Sequence, residues 1–365
     1  MNQENAWKWI VAGAAIVTVG GTIGVAMMLN SPSATPSAST VKKTPTETVA
    51  TPTPIETPTE RTDAPFVITT MTHMEGNFGD NDNKALFLKH VATMRWAMDL
   101  FDEYGAKLTF ESEQPFAKAN TTWGLNIMKE VVDSGHGVGT HADFGAAAGT
   151  TLTLDELTTE FKTNKALVDG LVGAENNQGV SGGTGPTDWV LAASAAGFTY
   201  FDAVTGFGYL SMPMSVRPNG WNDNYIRHVT YHDSIPLNLT DRIYPIPLKD
   251  ANDLIADANP AISVMSGDIG ELASIAEGRS TCNPDCTFDQ ADIDAIMAAI
   301  DEANASRDTS RFAKINFHIP LTLLTPANET LLRNMLAAIK KYTDNGTLAW
   351  DTMLGSYKQY VEWSE

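Results

Sequence analysis

The segment that decides the fold is Pro65-Phe-Val-Ile-Thr-Thr-Met-Thr-His73, which continues as Met74-Glu75-Gly76. Its short run of apolar and β-branched residues predicts a buried strand. His73 and Glu75 stand at the C-terminal end of that strand. A helix is predicted next, over 83–104, because apolar residues recur there at helical spacing until Gly105. The domain therefore begins with a strand that leads into a helix and leaves polar side chains between them.

Strand and helix patterns alternate through the rest of the chain. Further strands are predicted at 106–110, 137–141, 198–202, 313–318 and 347–350, and further helices at 121–133, 153–169, 187–196, 329–342 and 354–363. This alternation is typical of a parallel sheet covered by helices, so the predicted fold class is α/β. For a single domain spanning 65–365 with this many units, a closed barrel is favoured over an open sheet.

Three segments precede this domain. Residues 1–8 form a short tail, which we expect in the cytoplasm. Residues 9–29 contain no charged side chain and are numerous enough to cross a bilayer as a helix, so they predict a transmembrane anchor. A cleaved signal peptide is the alternative. Residues 30–64 are rich in Pro, Thr and Ser, which predicts a disordered linker. We expect a single-pass protein of the cell membrane with 65–365 outside the cytoplasm.

Composition excludes several classes of protein. The chain of 365 residues has 44 acidic and 24 basic residues, a formal charge of −20, which argues against a nucleic-acid partner. Two cysteines are too few for a disulfide scaffold. Cys282 and Cys286 are spaced to close a small disulfide loop in an oxidising compartment, and two free thiols are the alternative.

Histidines and carboxylates stand at the C-terminal ends of the predicted strands. They are His73, Glu75, Glu111, His141, Asp143, Asp202 and His318. The C-terminal strand ends of a barrel form one face, where active sites lie, so we expect these side chains to meet. Imidazole and carboxylate are ligands of zinc and related divalent metals. A single histidine at such a position also serves to hydrogen-bond a loop, so the grouping of three with Glu75 is what indicates a metal site.

The remaining histidines are interpreted differently. His90 lies in a predicted helix and His136 in a turn, and both are expected to be structural. His228 and His232 belong to a long aromatic and polar segment, 206–250, which is placed to overhang the site. Aromatic residues in or near segments that follow strands are candidates for stacking on sugar rings or for ordinary packing: Trp189, Trp221, Tyr225 and Tyr231.

Four motifs resemble those of the polysaccharide deacetylase (NodB-like) superfamily, which includes the family 4 carbohydrate esterases. They are Thr72-His73-Met74-Glu75-Gly76 against Thr-Phe-Asp-Asp-Gly or Thr-x-Asp-x-Glu, Gly135–His141 against Gly-His-Glu-x-Gly-x-His, Ser181–Gly185 against Arg-x-Pro-x-Gly, and Asn316-Phe317-His318 against Leu-x-His. Their order along 65–365 is the order in the family. The resemblance implies a distorted (β/α) barrel of the NodB type and a metal-dependent hydrolase acting on non-peptide C–N bonds.

The resemblance also implies roles for individual residues. Glu75 and His141 match the family's acidic and first histidine ligands. Gly145 stands where the family has its second histidine ligand, so Asp143 is expected to complete the metal set, with His73 as the alternative.

The catalytic roles follow from the same correspondence. The family's base aspartate corresponds to His73 or to Met74, and His73 is the expected base. His318 corresponds to the family's general acid. The family's arginine, which orients the base, has no counterpart in the third motif, where this chain has Ser181.

Function is expected to follow the family, with zinc as the divalent metal. The predicted activity is removal of acetyl groups from a cell-surface or extracellular polysaccharide, with peptidoglycan-like glycans among the candidate substrates. A catalytically inactive glycan-binding protein on the same scaffold is one alternative. A glycosidase is another, which requires two carboxylates astride a sugar, with Glu75, Glu111 and Asp202 as candidates.

Overall fold

The computed structural model describes residues 63–145, 149–277 and 286–364. These residues belong to one compact unit, Thr59–Glu365. The predicted anchor over 9–29 and all of the predicted linker except its last two residues lie outside the described residues. Within the described part of the chain, none of the helices has the length and apolar character needed to cross a bilayer.

The described residues form ten strands in one sheet. They are β1 (Phe66–Met74), β2 (Thr109–Ser112), β3 (Gly137–Ala142), β4 (Gly179–Gly182), β5 (Tyr200–Phe201), β6 (Ile246–Leu248), β7 (Ile262–Val264), β8 (Asp268–Glu271), β9 (Ala313–His318) and β10 (Ala349–Trp350). The hydrogen-bonded order is β6-β7-β5-β4-β3-β2-β1-β9-β8, and β10 pairs with β1. Neighbours run parallel except β6 and β7, which are antiparallel.

The expected closed barrel is only partly formed. No strand pairing joins β6 to β8 in the described part of the chain, so the wall is an open, mixed half-barrel. The strands on this side have only two to four residues, too few for a continuous ladder. Irregular backbone spans the gap instead, where the Lys314 N–H donates to the Ile243 carbonyl at 2.8 Å.

Ten α-helices cover the sheet or connect its strands in the described residues. They are α1 (Lys84–Asp102), α2 (Gln114–Thr122), α3 (Ile127–Asp133), α4 (Leu154–Val172), α5 (Trp189–Ala195), α6 (Asp223–Tyr225), α7 (Leu239–Arg242), α8 (Gln290–Ser306), α9 (Glu329–Asp344) and α10 (Met353–Ser364). A single π-helical turn, Ile226–Thr230, follows α6. Several of the helices begin at capping side chains; Thr153 and Glu156, for example, form a capping box at the start of α4.

The helix predicted at 121–133 is two helices. The first, α2, ends at Thr122, and Gly124 follows in the left-handed region with φ of 67°. Asn126 then begins α3 by accepting a hydrogen bond from the Lys129 backbone N–H. The turn chemistry of Gly and Asn outweighs the apolar spacing that suggested one continuous helix.

Side-chain alternation along the strands separates the core from the site. On β1, Ile68 and Met74 pack into the main core beneath the helices, whereas Val67 and Met71 pack inside the barrel. His73 has the same parity as Val67 and Met71, so it also faces the barrel interior. Phe312, directly before β9, packs in the same inner cluster as Val67 and Met71. Side chains alternate along the strand, so Lys314, Asn316 and His318 also face the barrel interior.

Only one of the two cysteines predicted to form a disulfide is among the described residues. Cys286 is disulfide-bonded. The sequence holds one other cysteine, Cys282, which lies outside the described residues. The bonded state of Cys286 therefore agrees with the predicted small loop.

Candidate metal centre

The C-terminal ends of several strands surround a pocket of about 130 Å³. The five residues to which the family resemblance gives roles line it: His73, Glu75, His141, Asp143 and His318. They come from β1, β3 and β9, or directly follow these strands. The structure therefore brings these five strand-end side chains together on one face of the sheet.

Three of these residues are placed to share one ion. His73, Glu75 and His141 each offer a ligand atom, and these atoms lie within 4.8 Å of one another. His73 Nδ1 is 3.7 Å from Glu75 Oε1, and His141 Nε2 is 3.9 Å from Glu75 Oε2. The two imidazole rings stack with centroids 3.7 Å apart. Two imidazoles and a carboxylate are a donor set that zinc takes in hydrolytic enzymes.

The inner nitrogens of both imidazoles face a buried polar pair. Glu111 on β2 is fully buried, and its Oε2 lies 3.2 Å from His73 Nε2. The Ser181 hydroxyl on β4 donates to the same oxygen at 2.5 Å. Ser181 Oγ also lies 2.8 Å from His141 Nδ1. Glu111 and Ser181 therefore form a polar layer directly beneath the two histidines.

The Glu111 contact changes the protonation of His73. Burial by itself lowers the pKa of His73, but hydrogen bonds and charge from Glu111 and Glu75 outweigh it and raise the pKa to about 10. These contacts favour the protonated form of the ring in the metal-free protein. A metal ion at Nδ1 has to displace that proton, as metal binding at histidine generally does.

A second carboxylate group adjoins the triad. Asp143 Oδ1 is 3.3 Å from His141 Nε2. Glu113, which the sequence patterns did not single out, accepts a hydrogen bond from the Asp143 backbone N–H at 2.7 Å. Ligand atoms of Glu75, Glu113 and Asp143 also lie within 4.8 Å of one another. Burial and the neighbouring Asp143 charge raise the pKa of Glu113. The sequence feature that could have identified Glu113 is its position directly after β2, two residues beyond Glu111.

His318 completes the pocket from β9. Its ring stacks on His73 with centroids 4.4 Å apart. Its Nδ1 lies 3.1 Å from Glu271 Oε2, and its Nε2 has no hydrogen-bond partner among the described residues. Burial lowers the pKa of His318, with the charge of His73 acting in the same direction. Glu271 ends β8, a short strand that no sequence pattern predicted, so this partner was missed.

The other candidates lie elsewhere. Asp202 is fully buried and does not line the pocket. His90 bonds to Asp80 at 2.8 Å, His136 accepts the Leu108 N–H at 3.0 Å, and neither histidine lines the pocket.

A larger chamber adjoins the pocket. It measures about 500 Å³ and shares Asp143 and His232 with the metal pocket. Its other walls include Phe207, Arg227 and Tyr231. The Phe207 and Tyr231 rings contact each other at a centroid distance of 5.7 Å. The aromatic segment therefore lies beside the site, as its composition suggested.

Comparison with known proteins identifies the fold. No protein-family model matches the sequence, and no curated protein sequence does. A structure assigned as a polysaccharide deacetylase from Mycobacterium smegmatis matches with a TM-score of 0.51 at 10% identity, over 84% of this chain and 93% of that one. This chain has a polysaccharide deacetylase fold.

Two further structures align with lower scores. A glycoside hydrolase/deacetylase from Parabacteroides distasonis gives a TM-score of 0.49 at 9% identity, over 82% of this chain and 72% of that one. A family 4 carbohydrate esterase from Bacillus subtilis gives 0.37 at 12% identity, over 83% and 82%.

The structure shows where the residues that depart from the deacetylase motifs lie relative to the pocket. Met74, one of the two counterparts of the family's base, is fully buried in the core and faces away from the pocket. Gly145 follows β3 in the left-handed region, with φ of 70°, and offers no ligand. His73 occupies the space beside Glu75 and His141 instead. His73, on β1, thus joins Glu75 and His141 as a third candidate donor.

Proposed function

We propose that this protein is a metal-dependent hydrolase that removes acetyl groups from a polysaccharide. The observation that supports this most directly is the convergence of His73, Glu75 and His141 in a pocket that also contains His318. The fold agrees with this activity but does not by itself establish it.

The donors fit a zinc ion. His73 Nδ1 and His141 Nε2 both point toward the Glu75 carboxylate, while their other nitrogens are occupied by Glu111 and Ser181. We therefore assign His73 as a donor in place of the base role predicted from the motif. Asp143 lies next to His141 as a further oxygen donor or proton acceptor. When bound, zinc supplies polarisation of the acyl carbonyl and a lowered pKa for a water molecule.

Proton transfer is assigned to the residues on either side of the donors. The Asp143 carboxylate, partly exposed at the pocket mouth, accepts the proton of the attacking water. His318 donates a proton from Nε2 to the departing nitrogen, because this atom faces the pocket without another partner among the described residues. Glu271 holds His318 through Nδ1, and its charge partly offsets the lowering of the His318 pKa by burial and by His73.

The adjoining chamber is proposed to hold the glycan. Its volume of about 500 Å³ lies within the range of small-molecule sites. Phe207 and Tyr231 supply aromatic faces, on which sugar rings stack. Shared walls at Asp143 and His232 bring a bound sugar next to the metal donors.

We also propose that the hydrolase domain acts outside the cytoplasm, held at the membrane by residues 9–29. The apolar run, the Pro/Thr/Ser-rich segment after it and the disulfide at Cys286 support this placement. A protease added to intact cells should remove the C-terminal domain. Protection of that domain until the membrane is permeabilised would contradict the placement.

Acetate release tests the activity. The full-length protein loaded with zinc should release acetate from N-acetylglucosamine oligomers or from peptidoglycan. Chelation should stop the release, and Glu75→Ala and His141→Ala should abolish it. His90→Gln, which removes an imidazole outside the pocket, should retain it. Glycan binding without acetate release by the zinc-loaded protein would instead favour an inactive glycan-binding protein.

A further inference from the structure

The layer beneath the donors contains an ionisable group that the proposed reaction does not use. Glu111 has no exposed surface, and Ser181 is 3% exposed. A carboxylate so deeply buried is costly unless it is hydrogen-bonded. In this chain its oxygen Oε2 is bonded to Ser181 and His73. These contacts connect a buried carboxylate to two strands besides its own.

The hydrogen-bonding capacities of the four groups fix their roles. The single hydroxyl proton of Ser181 goes to Glu111, so Ser181 Oγ can only accept from His141 Nδ1. An ionised Glu111 also only accepts, so His73 Nε2 carries the proton in that contact. The remaining nitrogens, His73 Nδ1 and His141 Nε2, are the ones that face Glu75.

We propose that Glu111 and Ser181 are positioning residues of the metal centre. Glu111 holds His73 directly and holds His141 through the Ser181 hydroxyl, so that each ring presents one unprotonated nitrogen to the ion. The inference rests on the proposed function, because it takes His73, Glu75 and His141 as the donors.

This arrangement differs from the motif that the sequence resembles. The resemblance places Ser181 where the family has an arginine that orients an aspartate base. In this chain the Ser181 hydroxyl and the buried Glu111 carboxylate orient two imidazoles instead. The supporting charge is therefore negative, whereas that of the family's arginine is positive. A carboxylate behind a histidine also increases the basicity of the ring, which strengthens its bond to a metal.

Zinc affinity tests the proposal without any substrate. The full-length protein is stripped with a chelator and titrated with zinc alone by calorimetry. Glu111→Gln keeps the size of the side chain and removes its charge, and it should weaken zinc binding about 10- to 100-fold. Ser181→Ala should weaken it by a smaller factor. Because the two residues act in one network, the double variant should lose less than the product of the single losses.

A matched variant and a spectrum separate positioning from packing. Glu271→Gln removes a carboxylate that contacts a histidine of the same pocket but none of the donors, so its zinc affinity should equal that of the wild type. The visible spectrum of the cobalt-loaded protein should shift in Glu111→Gln and not in Glu271→Gln. Thermal unfolding of the metal-free variants identifies any that do not fold.

The outcomes distinguish this inference from the proposed function. If Glu111→Gln binds zinc within about twofold of the wild-type affinity, the positioning role is overturned, since supporting carboxylates normally change metal affinity by more than this. An equal loss in Glu271→Gln would also overturn it. Should Glu111→Gln not fold, unchanged affinity in Ser181→Ala would decide against it. A wild type that binds zinc through this network but releases no acetate would contradict the proposed hydrolase and leave the inference standing.

Discussion

The chemistry of the pocket depends, at the scale of single residues, on which nitrogen of each imidazole remains free. His73 and His141 have one nitrogen engaged below and one facing Glu75. His318 is arranged differently: its Nδ1 contacts Glu271, and its Nε2 has no partner in the described part of the chain. In the proposed function, two histidines therefore bind an ion and the third transfers a proton.

Removing the His318 imidazole should separate chemistry from metal binding. His318→Gln is expected to lower kcat about 10²- to 10⁴-fold, the usual contribution of a general acid. Its zinc content should stay at the wild-type value, because His318 is not among the donors. Steady-state acetate release and elemental analysis of one preparation measure both. Loss of zinc together with activity would mean that His318 is a ligand.

A buried lysine gives a prediction about stability. Burial lowers the pKa of Lys314 from 10.5 to about 7, against the opposing charges of Asp268 and Glu111. Between pH 7 and 10.5 the unfolded chain therefore binds more protons, and the wild type gains stability as pH rises. Lys314→Met removes this penalty. It should raise the free energy of unfolding by on the order of 3 kcal/mol more at pH 7 than at pH 10, because the wild type loses most of the penalty between these two pH values.

Urea denaturation at several pH values measures the effect of Lys314. The exposed Lys340, which pairs with Asp344 on α9, is the control: Lys340→Met should change stability little and equally at each pH. Equal stability changes for Lys314→Met at pH 7 and pH 10 would show that this lysine keeps an ordinary pKa.

At the scale of the elements, β1 was the most predictable part of the molecule. Its composition predicted the strand, and the parity of His73 and Met71 agreed with an inward face. The short strands β4, β6, β7 and β8 were not predicted, because three or four residues carry too little periodicity. Ser181 and Glu271 lie on two of these strands, which is why sequence patterns placed neither beside a histidine.

Two glycines test the local packing of these elements. Gly182 ends β4 with φ of 71°, and a Cβ there would collide with the Ala142 carbonyl oxygen. Gly182→Ala should therefore destabilise the protein by about 2 kcal/mol or more. Gly170 is exposed on α4, where an added Cβ would meet no other atom within 4 Å, so Gly170→Ala should stabilise the protein by about 1 kcal/mol. Chemical denaturation measures the free energy of unfolding of both variants. Equal changes in Gly182→Ala and Gly170→Ala would contradict the packing described for β4.

The aromatic segment beside the site has its own prediction. Tyr231→Ala removes a ring from the wall of the larger chamber. It should raise KM for an acetylated oligosaccharide about tenfold and change kcat little, because the ring is expected to contact sugar rather than the reacting atoms. Tyr360→Ala, which alters a ring at another pocket, is the control. A lower kcat with unchanged KM would place Tyr231 in the chemistry instead.

At the scale of the whole molecule, order along the chain was a better guide than any single motif. Histidines at 73, 141 and 318 are far apart in sequence, and the parallel strands bring them to one edge. The α/β class and the meeting of these strand-end histidines on one face were thus predictable from the order of the strands, whereas the open barrel was not. The roles of His73 and Asp143 were not, because the choice between base and ligand depends on ring orientation, which Glu111 and Ser181 determine from other strands.

The acidic composition bears on the same site. With a formal charge of −20, the protein is expected to attract divalent cations and to repel polyanionic glycans. The overall field therefore favours a cation at the proposed metal site and a neutral glycan as the proposed substrate.

Metal content tests the central claim most directly. Elemental analysis of the full-length wild type, loaded with zinc and dialysed, should give about one zinc per chain. Glu75→Ala and His141→Ala should lose it, while His318→Gln should keep it. Absence of zinc from the wild type, or an equal zinc content in His141→Ala, would contradict a metal centre at His73, Glu75 and His141.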